Sequence, residues 1–133
     1  MLKLYINDQA SVTQAILNSS NYAEETGFSS NSIGIIKTVV SELSYNLIKY
    51  AEQGTVTLRR VKKFQNKGLE IVSRDNGPGI PDIKIALQDK YSTGKTLGLG
   101  LPGIKRMSDE FEIESNVGKG TVVTSRIWLP QEV

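Results

Sequence analysis

The chain has neither cysteine nor histidine among its 133 residues. Without cysteine there can be no disulfide and no thiolate metal site. Without histidine as well, nearly every zinc site and every histidine-dependent catalytic triad is excluded. An excess of one charge sign is also missing: 16 Lys and Arg stand against 14 Asp and Glu, a net +2. Nothing therefore pulls the chain strongly toward nucleic acid or a membrane surface, and neither is expected as a partner. No apolar run approaches membrane-spanning length, and the opening "MLKLYINDQAS" has no long apolar core and no cleavage site. A cytoplasmic protein is expected. What is present, 38% hydrophobic and 23% charged residues, is an ordinary globular composition in a chain sized for one domain, residues 1–133.

The patterning predicts an α+β fold. "LKLYI" alternates as a short strand, and Asp8 or Ser11 can cap a helix running to about Glu25 and closed by Gly27. From about Ser30 to Glu52, Ile33, Ile36, Val40, Leu43 and Leu47 recur at helical steps and make one face apolar. "TVTLRRVKKF" and "GLEIVS" read as a β-hairpin around the polar "QNK". Pro81-Asp82 opens a short helix to about Lys90, and another helix runs from about Pro102 to Glu110. "FEIES" and "TVVTSRIWL" then pair around "NVGKG". Grouped strands and grouped helices imply a two-layer α/β sandwich, a mixed, mostly antiparallel sheet with helices on one face.

"SRDNGPGIPD", residues 73–82, is a loop that does not turn back, because Pro78 and Pro81 bar the following segment from a ladder. Gly77 and Gly79 can let the backbone approach a ligand closely, and Asp75 at the strand's end can accept a hydrogen bond from a bound amine. A wide polar turn capped by Asp82 explains one of the glycines and Pro81, but not both glycines.

Two further constellations carry chemistry. Glu42, Asn46 and Lys49 fall on one side of the second helix, so a carboxylate, an amide and an ammonium can converge. They can orient a hydroxyl, ligate Mg²⁺ and neutralise phosphate. A solvated face with a weak Glu–Asn–Lys network is the other possibility. Gly98, Gly100 and Gly103 precede or open a helix, where exposed N–H groups suit phosphate. A flexible loop leading into a helix would look the same. "GKT" at 94–96 is not a P-loop, because Asp89 stands where its first glycine belongs. "GLGLPG" follows no strand and opens no βαβ unit, so it is not a dinucleotide fingerprint. "NSS" at Asn18 matches a glycosylation acceptor without consequence in a cytoplasmic helix. "RRVKK" with Lys67 is either a docking surface for an acidic partner or a solvated hairpin.

"SELSYNLIKYA", "DNGPGIPD", "STGKTLGLGLPGIKRM" and "GKGT", in this order and at these separations, resemble the N box and glycine boxes of the Bergerat-type ATPase superfamily, which spans gyrase, Hsp90, histidine kinases and MutL. Within it the chain is most similar to the small anti-sigma-type serine/threonine kinases, and among those to the stressosome switch kinases. The resemblance implies Glu42 as general base, Asn46 as Mg²⁺ ligand and Lys49 as a phosphate contact. It implies Asp75 as acceptor of the adenine amino group, with Gly77 and Gly79 shaping the adenine pocket and Thr121 supporting the same hydrogen bonds. The stretch from Tyr91 to Leu101 becomes an ATP lid, with Ser92 and Thr93 near the phosphates and Gly98 and Gly100 wrapping them. This lid is short and no transducer domain is appended, which argues against a gyrase-like or MutL-like clamp cycle.

The implied activity is transfer of the ATP γ-phosphate, with Mg²⁺, to a serine or threonine of a STAS-domain partner, in a stress-response partner-switching module. A PP2C-type phosphatase activated by the free kinase is a second implied partner. Two alternatives stand beside it: an anti-sigma factor that sequesters a sigma factor with ATP as a structural ligand, and a detached histidine-kinase ATP domain. With no histidine in the chain, the last would need its phosphoacceptor on another chain.

Overall fold

The computed structural model describes residues 1–80, 83–87 and 100–130. In chain order the elements are β1 (Leu2–Ile6), α1 (Gln9–Thr26), α2 (Ser30–Ala51), β2 (Gly54–Lys63), β3 (Asn66–Arg74), α3 (Ile83–Ala86), α4 (Gly100–Met107), β4 (Glu110–Asn116) and β5 (Gly120–Trp128).

Local chemistry accounts for the helix ends. Asp8 caps α1: its carboxylate accepts from the Ser11 N–H at 2.7 Å while the Ser11 hydroxyl accepts from the Asp8 N–H at 3.1 Å, so two orphan donors are satisfied reciprocally. The helix closes at Gly27, whose N–H reaches the Ala23 and Glu24 carbonyls, and the next residue, Phe28, is driven into the core. Ser29 then caps α2 through the Ser32 N–H.

The sheet order is β1-β2-β3-β5-β4. All four pairings among the described residues are antiparallel, so the expected mixture reduces to its antiparallel part. The reason is connectivity. β4 and β5 form a hairpin, and β5 enters beside β3 running against it. Leu4, Ile6, Val56, Leu58, Leu69, Ile71, Val123 and Ile127 face the helical layer, where Val12, Ile36, Val39, Val40, Leu43 and Leu47 meet them. Near the end of β3 the inward row turns polar: Ser73 lies opposite Val56 and Val123, and Ser115 lies opposite Thr121.

Two expected boundaries move. The β2–β3 turn is Phe64-Gln65, earlier in the chain than the centre of the expected polar tip, because Lys63 pairs with Asn66 and Phe64 itself takes φ 55°. The helix opening near Pro102 begins at Gly100 and stops at Met107. Glu110 belongs to β4, and the Asp109 N–H has already been taken by the Arg126 carbonyl at 2.9 Å. Of the short helix after Pro81, Ile83–Ala86 is described. Its expected ends, and the lid up to residue 99, lie outside the described residues.

The face of the sheet away from the helices carries a charged ladder. Glu70 accepts from Arg59 at 2.7 Å and from Arg126 at 2.9 Å, and Arg126 also reaches Glu112 at 3.2 Å. Arg59 and Arg126 stand directly opposite Glu70 on the neighbouring strands, so each pair lies at cross-strand distance. Hydrogen bonds from Arg59 hold the Glu70 carboxyl below the usual carboxylate range against the opposing effect of burial.

Candidate functional site

One cavity lies between the C-terminal half of α2, the loop after β3 and the start of β5. Asn46, Leu47 and Tyr50 line it from the helix, Asp75 and Gly79 from the loop, and Thr121 from β5. Ile80, Leu101 and Val123 make much of its wall apolar. An apolar slot with a few convergent polar groups suits a flat, partly polar ligand.

Among the described residues α2 carries three buried side-chain oxygens without a partner, on Glu42, Ser44 and Asn46, and the first and last share one side of the helix. Glu42 is 1% exposed, and neither its Oε2 nor the Asn46 Oδ1 has a hydrogen-bond partner among the described residues. The two side chains are one helical turn apart on the same side. Buried oxygens of this kind cost free energy unless something pairs with them. A hard amide oxygen with an open lone pair at a cavity wall fits a hydrated divalent cation that shares its remaining ligands with a phosphate chain. Lys49 is placed differently: it is exposed, its ammonium lies 5.2 Å from the ring centroid of Tyr50, and it does not line the cavity.

Asp75 is held by backbone. Its Oδ1 accepts from the Gly77 N–H at 2.9 Å and from the Thr121 N–H at 3.2 Å, which leaves Oδ2 for a donor arriving in the cavity. The two glycines of the loop serve separate ends. Gly79 has φ 79° and lines the cavity. Gly77 does not line it. A Cβ there would come within 2.7 Å of the Ala51 Cβ, so this glycine lets the loop press against the end of α2 while its N–H fixes Asp75. Its contribution to the pocket is indirect.

Thr121 lies in the cavity wall, with its hydroxyl 2.7 Å from that of Ser115. Gly100 is buried as the first residue of α4, and its neighbour Leu101 lines the cavity. Ser92, Thr93 and Gly98 lie outside the described residues. Two residues go beyond the sequence expectation, Ser73 and Ser115. The alternation of "FEIES" is the one sequence signal for the second, since it puts Ser115 on the same side of β4 as Ile113, a polar residue at an inward position.

Residues 31–133 match the family model described as histidine kinase-, DNA gyrase B-, and HSP90-like ATPase. The serine/threonine-protein kinase RsbT of Bacillus subtilis (strain 168) is 43% identical over 109 residues, covering 82% of each chain. An anti-sigma F factor of Thermoanaerobacter sp. (strain X514) is 35% identical over 95 residues, covering 68% of this chain and 66% of that one. Among solved structures, a nucleotide-free catalytic domain of the histidine kinase ThkA superposes with a TM-score of 0.51 at 16% identity, covering 96% of this chain and 98% of the other. At that identity the last likeness concerns the fold alone.

Proposed function

The chain belongs to the family of histidine kinase-, DNA gyrase B- and HSP90-like ATPases, and from that footing we propose that it is an ATP-dependent protein serine/threonine kinase working in a partner-switching module. The observation that carries this is a cavity with Asn46 on one wall and Asp75 and Thr121 on another, beside the buried carboxylate oxygen of Glu42 that has no partner among the described residues. The fixed acceptor on Asp75 suits the 6-amino group of adenine, and the apolar walls suit the purine faces. The base then lies at the Asp75 end and its phosphates extend toward α4 and Asn46.

Phosphoryl transfer asks mainly for positioning and charge neutralisation. Mg²⁺, held by Asn46 together with phosphate oxygens, would offset charge on the transferring group. Glu42 accepts a hydrogen bond from the incoming hydroxyl, aligns it and takes its proton as the new O–P bond forms and the bond from the γ-phosphorus to the β–γ bridging oxygen breaks, releasing ADP. The hydroxyl comes from a serine or threonine of another protein. We assign that role to a STAS-domain partner, with a PP2C-type phosphatase as a target of the free kinase, both on the strength of the likeness to the switch kinases. Ser92, Thr93 and Gly98 are assigned to the phosphates on the same ground.

The test is phosphotransfer from γ-labelled ATP, with and without Mg²⁺, to STAS-domain proteins of the same genome. Label that survives acid identifies phosphoserine or phosphothreonine, and acid-labile label on a histidine would refute the assignment. Similarity to anti-sigma F factors favours one second reading, sequestration of a sigma factor. Co-purification with a sigma factor, and not with a STAS protein, would decide for it.

A further inference from the structure

A second groove runs across the ends of β1, β2 and β3 and shares one lining residue, Asp75, with the first cavity. Its length follows from the registers. Tyr5 pairs with Thr55 and Thr55 with Arg74, so the three side chains form one row across neighbouring strands. Tyr5 and Arg74 therefore stand two strand spacings apart, about 10 Å, which roughly three residues of extended chain span.

The two ends differ in chemistry. Tyr5 is 69% exposed, a bare aromatic ring with the Lys3 ammonium 5.4 Å from its centroid. Arg74 is exposed, and its guanidinium has no ion pair or hydrogen bond among the described residues. The side-chain amides of Asn7, Gln53 and Asn76 also line the groove, equally without side-chain partners among the described residues. Each amide offers both donors and an acceptor, the set that pairs with a peptide backbone. The one acid in the lining, Asp75, has its Oδ1 occupied by the Gly77 and Thr121 N–H groups, and Asp8 and Glu52, the nearest acids in sequence, do not line the groove. Arg74 and Lys3 thus leave positive charge to be matched.

We propose that this groove docks a short extended segment of a protein partner, with an acidic side chain on Arg74 and an apolar one about three residues along, over Tyr5. Nucleic acid would call for a row of basic residues, and a small anion would leave Tyr5 and the amides unused. Ala51, in the groove wall, lies nine residues beyond Glu42, about 13 Å along α2. A segment held here therefore leaves the surroundings of Glu42 free. The assignment does not depend on what the first cavity binds.

The test is fluorescence anisotropy on the full chain without nucleotide. The probes are two labelled hexapeptide pools of neutral residues, with one fixed position that is glutamate in one pool and glutamine in the other. The wild type should bind the glutamate pool about three- to tenfold more tightly, the size of one partly exposed charge-assisted pair. Arg74→Gln should erase that preference, Arg74→Lys should keep part of it, and Tyr5→Ala should weaken both pools alike. Both side chains are exposed, so the variants should melt with the wild type. Absent or equal binding of the two pools by the wild type, or a preference that survives Arg74→Gln, overturns the proposal. So does full displacement of the glutamate pool by millimolar acetate, which would mark a site for small anions. Self-association of the wild type that Arg74→Gln abolishes would give the groove to a second copy of the chain and overturn it as well.

Discussion

Asp75 and Thr121 hold each other from both sides: the Asp75 N–H donates to the Thr121 carbonyl at 3.1 Å, and the Thr121 N–H donates to Asp75 Oδ1 at 3.2 Å. The ladder between β3 and β5 thus continues one step past the end of β3, with a side chain standing in for the last carbonyl. The carboxylate that lines the cavity is part of the sheet, and the sheet's rigidity becomes the rigidity of the acceptor.

Asp75→Asn tests this directly. Two backbone N–H groups demand an oxygen at the Oδ1 position, so an asparagine must turn its amide NH₂ toward the cavity and meet the adenine amino group donor to donor. Affinity for ATP should fall on the order of ten- to a hundredfold by calorimetry, with the melting temperature near that of the wild type. Full affinity would remove Asp75 from the base site.

Glu42→Gln separates binding from chemistry. The side chain is buried and does not line the cavity. ATP affinity should be retained, while transfer to the protein acceptor drops on the order of a hundredfold or more. Unchanged turnover in single-turnover kinetics would exclude it as the proton acceptor.

The glycine pair Gly79 and Gly34 gives opposite signs. Gly79 has φ 79°, and a Cβ there would lie 2.5 Å from the Asn116 carbonyl oxygen, so Gly79→Ala should destabilise by about 1–3 kcal/mol and distort the cavity. Gly34 sits within α2, where a Cβ would meet nothing within 4 Å, so Gly34→Ala should stabilise by roughly 0.5–1 kcal/mol. Denaturant unfolding of the two variants measures both.

Glu70 gives a pH dependence with a definite sign. Its carboxyl is more acidic in the fold than in the unfolded chain, because Arg59 and Arg126 bond the charged form. The unfolded chain therefore binds the proton first as pH falls. The stabilisation is complete above the unfolded carboxylate range and is lost as pH drops through the lower folded value. Glu70→Gln should lower the melting temperature at pH 7, and the gap from the wild type should close below about pH 4. A gap that persists in acid would mean that the ladder contributes packing rather than charge.

Much of this site is legible in residue order alone, and the reasons differ by residue. Glu42 and Asn46 stand out because polar groups four apart interrupt a helix face otherwise made of Leu43 and Leu47, a local signal. Asp75 stands out because two prolines forbid a returning strand. For Ser115 the alternation of "FEIES" gives only its inward side; its partners come from the β4–β5 register and from Ile80, 35 positions away. Gly77 reads as a cavity residue because the contact that requires it, with Ala51, belongs to the packing of α2 against the loop and leaves no mark in the sequence. The β2–β3 turn shifts for a similar reason, the register pairing Lys63 with Asn66 and so placing Phe64 at the positive φ ahead of the polar "QNK".

The strand order has a consequence for synthesis. β5, the last of the described strands to be made, does not add to an edge but inserts between β3 and β4. Until it has left the ribosome, β3 presents an open row of amides and carbonyls, and Thr121 cannot meet Asp75. A nascent chain thus gains the Asp75–Thr121 wall of the cavity only when β5 has docked, so a ligand of that cavity captured during translation would report that this strand is in place.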